Sequence, residues 1–139
     1  MNPDIGSINS ESGLSKGINR MGTGTNRTLL ILEDEPFIAL DVVDALRNTA
    51  YNVVTLRSCS DAKNWLQFQT PAVAILDISL QDGECAEVAA TLVERQVPFV
   101  VHSGYVDGAS EVFSHGRWID KPAQPHAILD AVNALNPVH

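Results

Sequence analysis

The chain has 139 residues, of which 45% are hydrophobic and 19% charged, an ordinary balance for a folded domain. Its net charge of −8 and its scattered basic residues argue against a nucleic-acid surface, which needs clustered Lys and Arg. No apolar run approaches the ~20 residues of a membrane span, and no signal-peptide pattern opens the chain. We therefore expect a cytoplasmic protein that binds neither nucleic acid nor membrane, with Cys59 and Cys85 reduced.

The first part of the chain differs in composition from the rest. Residues 1–27 are rich in Gly, Ser, Asn and Thr and show no sustained hydrophobic period, which is typical of a flexible tail. From Thr28 onward, short apolar runs alternate with amphipathic segments. We therefore predict a tail over residues 1–27 and one folded domain over residues 28–139.

Short apolar runs predict five strands, at residues 28–32, 51–56, 72–76, 98–102 and 118–120. Helical spacing predicts the segments between them. The first helix begins at Pro36, and its apolar stripe comprises Phe37, Leu40, Val43 and Leu46. The other predicted apolar helix positions are Ala62, Trp65 and Leu66, then Val88, Ala89, Leu92 and Val93, and finally Ile128, Ala131, Val132 and Leu135.

Local signals mark where these segments begin and end. Ser58 and Asp61 have the spacing of a capping box before the second helix, and Asp82 is expected to shape a turn with Gly83. Between the fourth and fifth strands there is room for at most a short helix, between Ala109 and Ser114.

Strands that alternate with helices and are apolar on both faces predict a parallel sheet covered on both sides. Five such units in roughly 110 residues fit a flavodoxin-like, doubly wound α/β fold with helices on both faces and a short fourth helix. In this fold ligands bind beyond the carboxyl ends of the strands. The residues at those ends are therefore the candidates for chemistry.

Five polar residues stand at the predicted strand ends. Glu33 and Asp34 follow the first strand, Asp77 the third, Ser103 the fourth and Lys121 the fifth. Three carboxylates that share a site repel one another, and a hard divalent cation such as Mg²⁺ relieves the repulsion. A cation and a lysine beside one carboxylate would stabilise the charge on a phosphoryl group while that carboxylate attacks it. The pattern therefore predicts phosphoryl chemistry at this edge.

The order of these motifs resembles the response-regulator receiver family. Over residues 28–135 the chain carries Glu33-Asp34, then Asp77, then Ser103-Gly104, then Lys121-Pro122, each after the expected strand. The resemblance implies that Asp77 is the phosphoacceptor. It also implies that Ser103 and Lys121 bind the phosphoryl oxygens.

The resemblance assigns the metal ligands and the switch as well. Asp34 and Asp77 would ligate Mg²⁺ directly, Glu33 would help through a water, and the backbone carbonyl of Ser79 would be a further ligand. Trp118 matches the switch aromatic, a position that family members usually fill with Tyr or Phe. Tyr105 stands where the family tunes access to the phosphoryl group.

The implied function is a switch in two-component signalling, not an enzyme acting on a separate substrate. The partner would be a histidine kinase or a histidine phosphotransfer protein, and the chain would catalyse its own phosphorylation and dephosphorylation. It would signal by docking on a downstream protein or by passing the phosphate on. Some family members dimerise on phosphorylation, so the resemblance leaves a homodimer open. The chain ends four residues after Leu135, from which we expect a stand-alone receiver or one cut from a larger protein.

The segment from Ser103 to Lys121 departs from the usual pattern, because it is about one helical turn shorter. In this it resembles atypical receivers, frequent in alphaproteobacteria, that have a reduced fourth helix. The shortening puts the family's usual output face in doubt. It also keeps alive an alternative, a receiver fold that docks on proteins without phosphorylation.

Two further alternatives fit the residues less well. A Mg²⁺-dependent phosphohydrolase of the haloacid-dehalogenase type needs a second Asp two residues after its nucleophile, and this chain has Ser79 there. A nucleotide-binding α/β module needs a glycine-rich loop after the first strand, and residues 33–35 are acidic instead. For His102 we expect a strand residue that faces a helix, not a ligand.

Overall fold

A computed structural model of the chain describes residues 26–104 and 106–135. Most of the predicted tail and Tyr105 lie outside these residues, as do residues 136–139. Among the described helices, none combines the length and the apolar character that crossing a membrane requires.

The described residues form five strands, four α-helices and one 3₁₀ helix. In chain order these are β1 (Thr28–Leu32), α1 (Pro36–Ala45), β2 (Asn52–Leu56), α2 (Cys59–Leu66), β3 (Val73–Leu76), α3 (Ala86–Glu94), β4 (Phe99–Ser103), the 3₁₀ helix (Glu111–His115), β5 (Arg117–Asp120) and α4 (Pro125–Leu135). The strands pair in parallel in the order β2-β1-β3-β4-β5. The predicted doubly wound fold is confirmed, and the 3₁₀ helix is the predicted short fourth helix.

The sheet buries side chains on both faces because successive strand residues point to opposite sides. On one face, which we call the α1/α4 face, the buried residues are Leu29, Ile31, Val42, Leu46, Tyr51, Val73, Ile75, Val100, Ile128, Ala131 and Val132. On the other, the α2/α3 face, they are Leu30, Leu32, Ala62, Leu66, Ala74, Leu76, Ile78, Leu80, Val88, Ala89, Leu92, Val97, Phe99, Val101 and Phe113. Helices on both faces leave the strand ends as the open edge.

Helix α1 turns a different side to the sheet from the one predicted. Its buried residues are Ala39 and Val42, with Leu46 just beyond its end, whereas Phe37 and Leu40 are 80% and 62% exposed. The stripe prediction was therefore wrong for Phe37 and Leu40, although Val43 is half-buried and Leu46 is buried. Apolar residues surround most of this helix, so their spacing does not fix which side packs. Two large apolar side chains are therefore left at the surface.

The remaining helices pack as predicted. Ser58 is the N-cap of α2, and its hydroxyl accepts the Asp61 N–H at 3.0 Å. Such a cap satisfies one of the N–H groups that the first helical turn leaves unpaired. The predicted apolar residues of α3 and α4 are buried or half-buried.

The 3₁₀ helix is fixed by one aromatic ring. Phe113 is 2% exposed and packs into the α2/α3 core. Gly116 follows this helix, and a Cβ atom there would overlap the ring of Phe99. The chain therefore returns to the sheet through a position where only glycine fits.

The expectation of two reduced thiols was wrong, because Cys59 and Cys85 are joined by a disulfide in the structure. Their Cα atoms lie 5.4 Å apart, within the usual range for disulfides. The two residues are 26 positions apart in sequence, so only the fold brings them together. The loop after β3 comes back over the start of α2, which no local pattern indicates.

Candidate functional site

Three carboxylates meet beyond the ends of the two central strands. Oxygens of Glu33, Asp34 and Asp77 lie within 4.8 Å of one another. Hydrogen bonds that continue past the strands hold this arrangement. The Glu33 N–H donates to the Leu56 carbonyl at 3.0 Å, and the Asp77 N–H donates to the Leu32 carbonyl at 2.9 Å. The adjacency of β1 and β3 thus produces the cluster predicted from the sequence.

Asp77 is the most heavily bonded of the three. It is 5% exposed, and its Oδ1 accepts the Ser103 hydroxyl at 3.1 Å and the Ser79 N–H at 2.9 Å. Its Oδ2 accepts a hydrogen bond from the Lys121 ammonium at 3.0 Å. A buried carboxylate with one hydroxyl, one amide and one cation in contact is fully oriented.

Lys121 connects two of the carboxylates. Its Nζ lies 2.7 Å from Glu33 Oε1 as well as 3.0 Å from Asp77 Oδ2, and its side chain is 17% exposed. The Lys121 N–H donates to the Ser103 carbonyl at 3.1 Å, and the peptide bond to Pro122 is cis. The end of β5 therefore delivers the ammonium to the place the sequence predicted.

Burial and pairing act against each other on these groups. Burial raises the pKa of Glu33, although the hydrogen bond from Lys121 opposes it. Burial also acts to raise the pKa of Asp77, but the Ser79 amide and the Lys121 ammonium outweigh it, so that pKa lies below its usual value. For Lys121, burial is outweighed by Glu33 and Asp77, and the pKa is raised. Asp77 is thus kept ionised and Lys121 protonated.

Asp34 completes a site suited to a hard cation. It is half-buried, and its Oδ2 accepts the Gln81 N–H at 3.0 Å. Converging carboxylate oxygens are the ligands that Mg²⁺ prefers. The residues present therefore fit this ion, with Ser79 exposed on the adjoining loop.

Trp118 lies away from this network. It pairs in register with Val101 on β4, its side chain is 39% exposed, and its Nε1 donates to Asp120 Oδ1 at 2.8 Å. The structure thus brings Glu33, Asp34, Asp77, Ser103 and Lys121 together with Ser79 beside them, whereas Tyr105 lies outside the described residues.

Two acidic residues outside the predicted set connect elements near the site. The Asp82 carboxylate accepts the N–H groups of Cys59 and Ser60 at 3.0 and 3.3 Å, and the Cys59 amide lowers the pKa of Asp82. The Glu84 carboxylate binds both the hydroxyl and the N–H of Ser110, the latter at 3.0 Å. The sequence indicated only a turn here, because partners 22 to 26 residues away carry no local signal.

His102 lines a cavity on the α1/α4 face. The cavity has a volume of about 440 Å³, and Ile38 of α1, Ile128 of α4 and Lys121 are among its other walls. His102 is 5% exposed, and its Nε2 has no partner among the described residues. Burial and the nearby Lys121 lower its pKa, which favours the neutral form of the ring. The side chain faces helices, as the sequence predicted.

Known proteins share sequence or fold with this chain. The family model of the response regulator receiver domain matches residues 29–133. The photosynthetic apparatus regulatory protein RegA of Cereibacter sphaeroides is 30% identical over 118 residues, which are 80% of this chain and 64% of RegA. The chain therefore spans less than two thirds of that relative's length.

Solved structures share the fold. A CheY-like receiver domain protein from Methanospirillum hungatei superposes with a TM-score of 0.69 at 22% identity, over 79% of this chain and 93% of that one. The response regulator TrrA of Thermotoga maritima, solved in complex with Mg²⁺-BeF, gives a TM-score of 0.68 at 18% identity, over 78% of this chain and 98% of TrrA.

Proposed function

Because this chain belongs to the response regulator receiver domain family, we propose that it is a phosphoacceptor switch that carries the phosphoryl group on Asp77. The observation that carries the proposal is the bonding of that carboxylate. It is buried at the strand ends with the Ser103 hydroxyl and the Lys121 ammonium both in contact. The domain acts as a switch and does not turn over a separate substrate.

The transfer itself follows from the charges in the site. The Asp77 carboxylate attacks the phosphorus of a phosphohistidine, the P–N bond breaks, and the imidazole leaves. Lys121 exchanges its contact with Asp77 for one with a phosphoryl oxygen while it keeps Glu33. The Ser103 hydroxyl likewise turns from Asp77 to a phosphoryl oxygen. Hydrolysis of the acyl phosphate by water resets the switch.

We propose that Mg²⁺ is the cofactor. Asp34 and Asp77 would hold it directly, Glu33 through a water, and Ser79 through its backbone carbonyl. When bound, the ion supplies positive charge for the equatorial phosphoryl oxygens. The oxygen cluster supports this, as does the Mg²⁺-BeF complex of TrrA, which has the same fold.

The conformational response would run through Ser103 and Trp118. Movement of Ser103 toward the phosphoryl group leaves space on the sheet, and Trp118 on the neighbouring strand β5 turns inward from its exposed position. Phosphorylation would thereby shift an existing equilibrium between two conformations that differ in the surface around β4 and β5. The signal leaves by docking on a downstream protein or by onward transfer.

The phosphoryl donor would be a histidine kinase or a histidine phosphotransfer protein in the cytoplasm. Phe37 and Leu40 support a protein donor, because they expose apolar surface on α1, which begins directly after the acidic cluster. We also propose, from family membership alone, that the chain can form a homodimer and that it can act within a longer protein like RegA.

The first experiment is intact-mass analysis after incubation with acetyl phosphate, with and without Mg²⁺. We expect a Mg²⁺-dependent phosphoryl adduct in the wild type and none in Asp77→Asn. Asp130→Asn is the matched control, because Asp130 is an exposed carboxylate on α4, and it should label like the wild type. An adduct on Asp77→Asn would contradict the acceptor assignment. No adduct on folded wild type that binds Mg²⁺ would favour the docking module that works without phosphorylation.

A further inference from the structure

The mechanism proposed above makes no use of the Cys59–Cys85 disulfide. Cys59 is the first residue of α2 and Cys85 is the residue before α3, so the bond joins the starts of two helices. Both side chains are half-buried and line a surface cavity of about 180 Å³ together with Asp82. Small reagents therefore have a route to the sulfur atoms.

The backbone of Cys85 is unusual for the position it occupies. Its φ of 63° and ψ of 35° are left-handed, a conformation that residues other than glycine rarely adopt. It stands at the N-cap of α3, where Ser, Thr, Asp, Asn or Gly are preferred, and it makes no capping hydrogen bond. Neither the helix nor the loop therefore accounts for a cysteine here, whereas the bond to Cys59 does.

The segment that ends at Cys85 also contacts the acceptor site. We call residues 77–85 the β3–α3 loop. The Ser79 N–H donates to Asp77 at 2.9 Å, and the Gln81 N–H donates to Asp34 at 3.0 Å. The carboxylate of Asp82 then bonds to the first turn of α2. The loop is thus held by the carboxylates of Asp34 and Asp77 at one end and by the disulfide at the other.

We propose that Cys59 and Cys85 are a reversible dithiol–disulfide pair, a modification site that sets the mobility of the β3–α3 loop and thereby the rate at which Asp77 is phosphorylated. The last part rests on the proposed function, whereas the thiol chemistry does not. In cytoplasmic proteins disulfides are usually transient and redox-sensing, which favours a reversible pair.

The chemistry is thiol–disulfide exchange with a small-molecule disulfide such as oxidised glutathione. One cysteine thiolate attacks a sulfur of the glutathione disulfide, the S–S bond breaks, and one glutathione leaves as a thiolate while the other stays bonded to the cysteine as a mixed disulfide. The second cysteine attacks that sulfur, closes the Cys59–Cys85 bond and releases the second glutathione. The two protein thiols are oxidised, the glutathione disulfide is reduced to two thiols, and the protons pass from the former to the latter.

A metal ion is the competing occupant of this site. The sulfur atoms and an Asp82 carboxylate oxygen lie within 4.8 Å of one another, and Zn²⁺ accepts sulfur and oxygen ligands. The disulfide is favoured because the two sulfur atoms are bonded to each other in the structure. Zn²⁺ therefore enters as an outcome of the test.

The thiol test uses the full chain equilibrated in glutathione buffers of graded ratio, acid-quenched, alkylated with N-ethylmaleimide and weighed intact. We expect two adducts in reducing buffer and none in oxidising buffer, with full reversal between them. The proposal would be overturned by two N-ethylmaleimide adducts at every glutathione ratio or by one glutathione on each cysteine. A Cys59–Cys85 bond that survives excess dithiothreitol in the folded protein would overturn it as well. Protection of both reduced thiols by added Zn²⁺ would assign the site to a metal instead.

The loop test compares the oxidised and reduced forms directly. We expect amide hydrogens of residues 78–85 to exchange more slowly in the oxidised form, and acetyl phosphate to label it about fivefold faster because the loop is preorganised. In Cys59→Ser the labelling rate should not respond to the glutathione ratio. Equal exchange in the two forms would overturn the coupling. Absence of labelling in both forms would refute the proposed function and leave the thiol result unaffected.

Discussion

The two faces of the sheet are covered in different ways. On the α1/α4 face, two helices of 10 and 11 residues lie over the strands and bury apolar side chains. The α2/α3 face is covered by shorter elements, namely helices of 8 and 9 residues and a five-residue 3₁₀ helix. The second face is also cross-linked, by a disulfide and by the Asp82 and Glu84 carboxylates.

The difference shows how short elements are held in place. Isolated helices of this length are marginal in water, so each needs tertiary contacts to persist. The α2/α3 face adds covalent and charge-assisted bonds to its burial, and these bonds gather around the β3–α3 loop. The face with the shorter helices is therefore also the one whose added bonds end on the loop that follows the acceptor.

On the α2/α3 face, truncation of Phe113 should have the largest effect on the free energy of unfolding. We expect Phe113→Ala to lower the free energy of unfolding by about 3 kcal/mol, because the ring is the buried anchor of the 3₁₀ helix. Urea denaturation measures the loss, and Phe68→Ala, which truncates a ring that is 84% exposed, is the control. A loss below about 1 kcal/mol would mean that the cross-links hold this segment without the ring.

Loss of the Glu84–Ser110 contact should have a smaller effect. We expect Glu84→Gln to cost about 1.5 kcal/mol, since a carboxylate that accepts two hydrogen bonds becomes an amide that can accept fewer. The loss should be accompanied by faster hydrogen exchange at residues 110–115. If Glu94→Gln on exposed α3 surface costs as much, the Glu84 contact is not the cause.

Removal of the α2 cap should cost slightly less. We expect Ser58→Ala to lower the free energy of unfolding by about 1 kcal/mol, because the Asp61 N–H loses its acceptor. Ser60→Ala is the matched control, because the Ser60 hydroxyl contacts the Ser58 hydroxyl at 3.5 Å but does not itself cap the helix. Thermal unfolding of both variants checks this, and equal losses would contradict the cap assignment.

On the α1/α4 face the expected effect is on the pH dependence of stability. Because burial lowers the pKa of His102 below 6.5, the unfolded chain takes up a proton there before the folded chain does. The contribution of His102 to the free energy of unfolding is therefore complete above pH 6.5, and it is lost as the pH falls toward the pKa of His102 in the folded protein. His102→Gln should flatten this part of the curve relative to wild type. A parallel shift of the two curves would contradict it.

Sequence reasoning recovered the strands, the fold and the five side chains at the strand ends. This worked because parallel strands deliver their carboxyl ends to one edge, so the order of residues alone predicts their proximity. The packed side of α1 was mispredicted, because a helix with apolar residues on most sides has no unique phase. The Cys59–Cys85 bond and the roles of Asp82 and Glu84 were missed, since they depend on how the β3–α3 loop folds back.

Gly116 has a consequence for how this family member can vary. Because the Phe99 ring occupies the space of any side chain there, Gly116 cannot be replaced unless Phe99 also moves or changes. A lineage that rebuilt this segment into a full helix would have to change the glycine, the aromatic ring and the segment length together. A longer fourth helix is therefore not reached through a single substitution of Gly116.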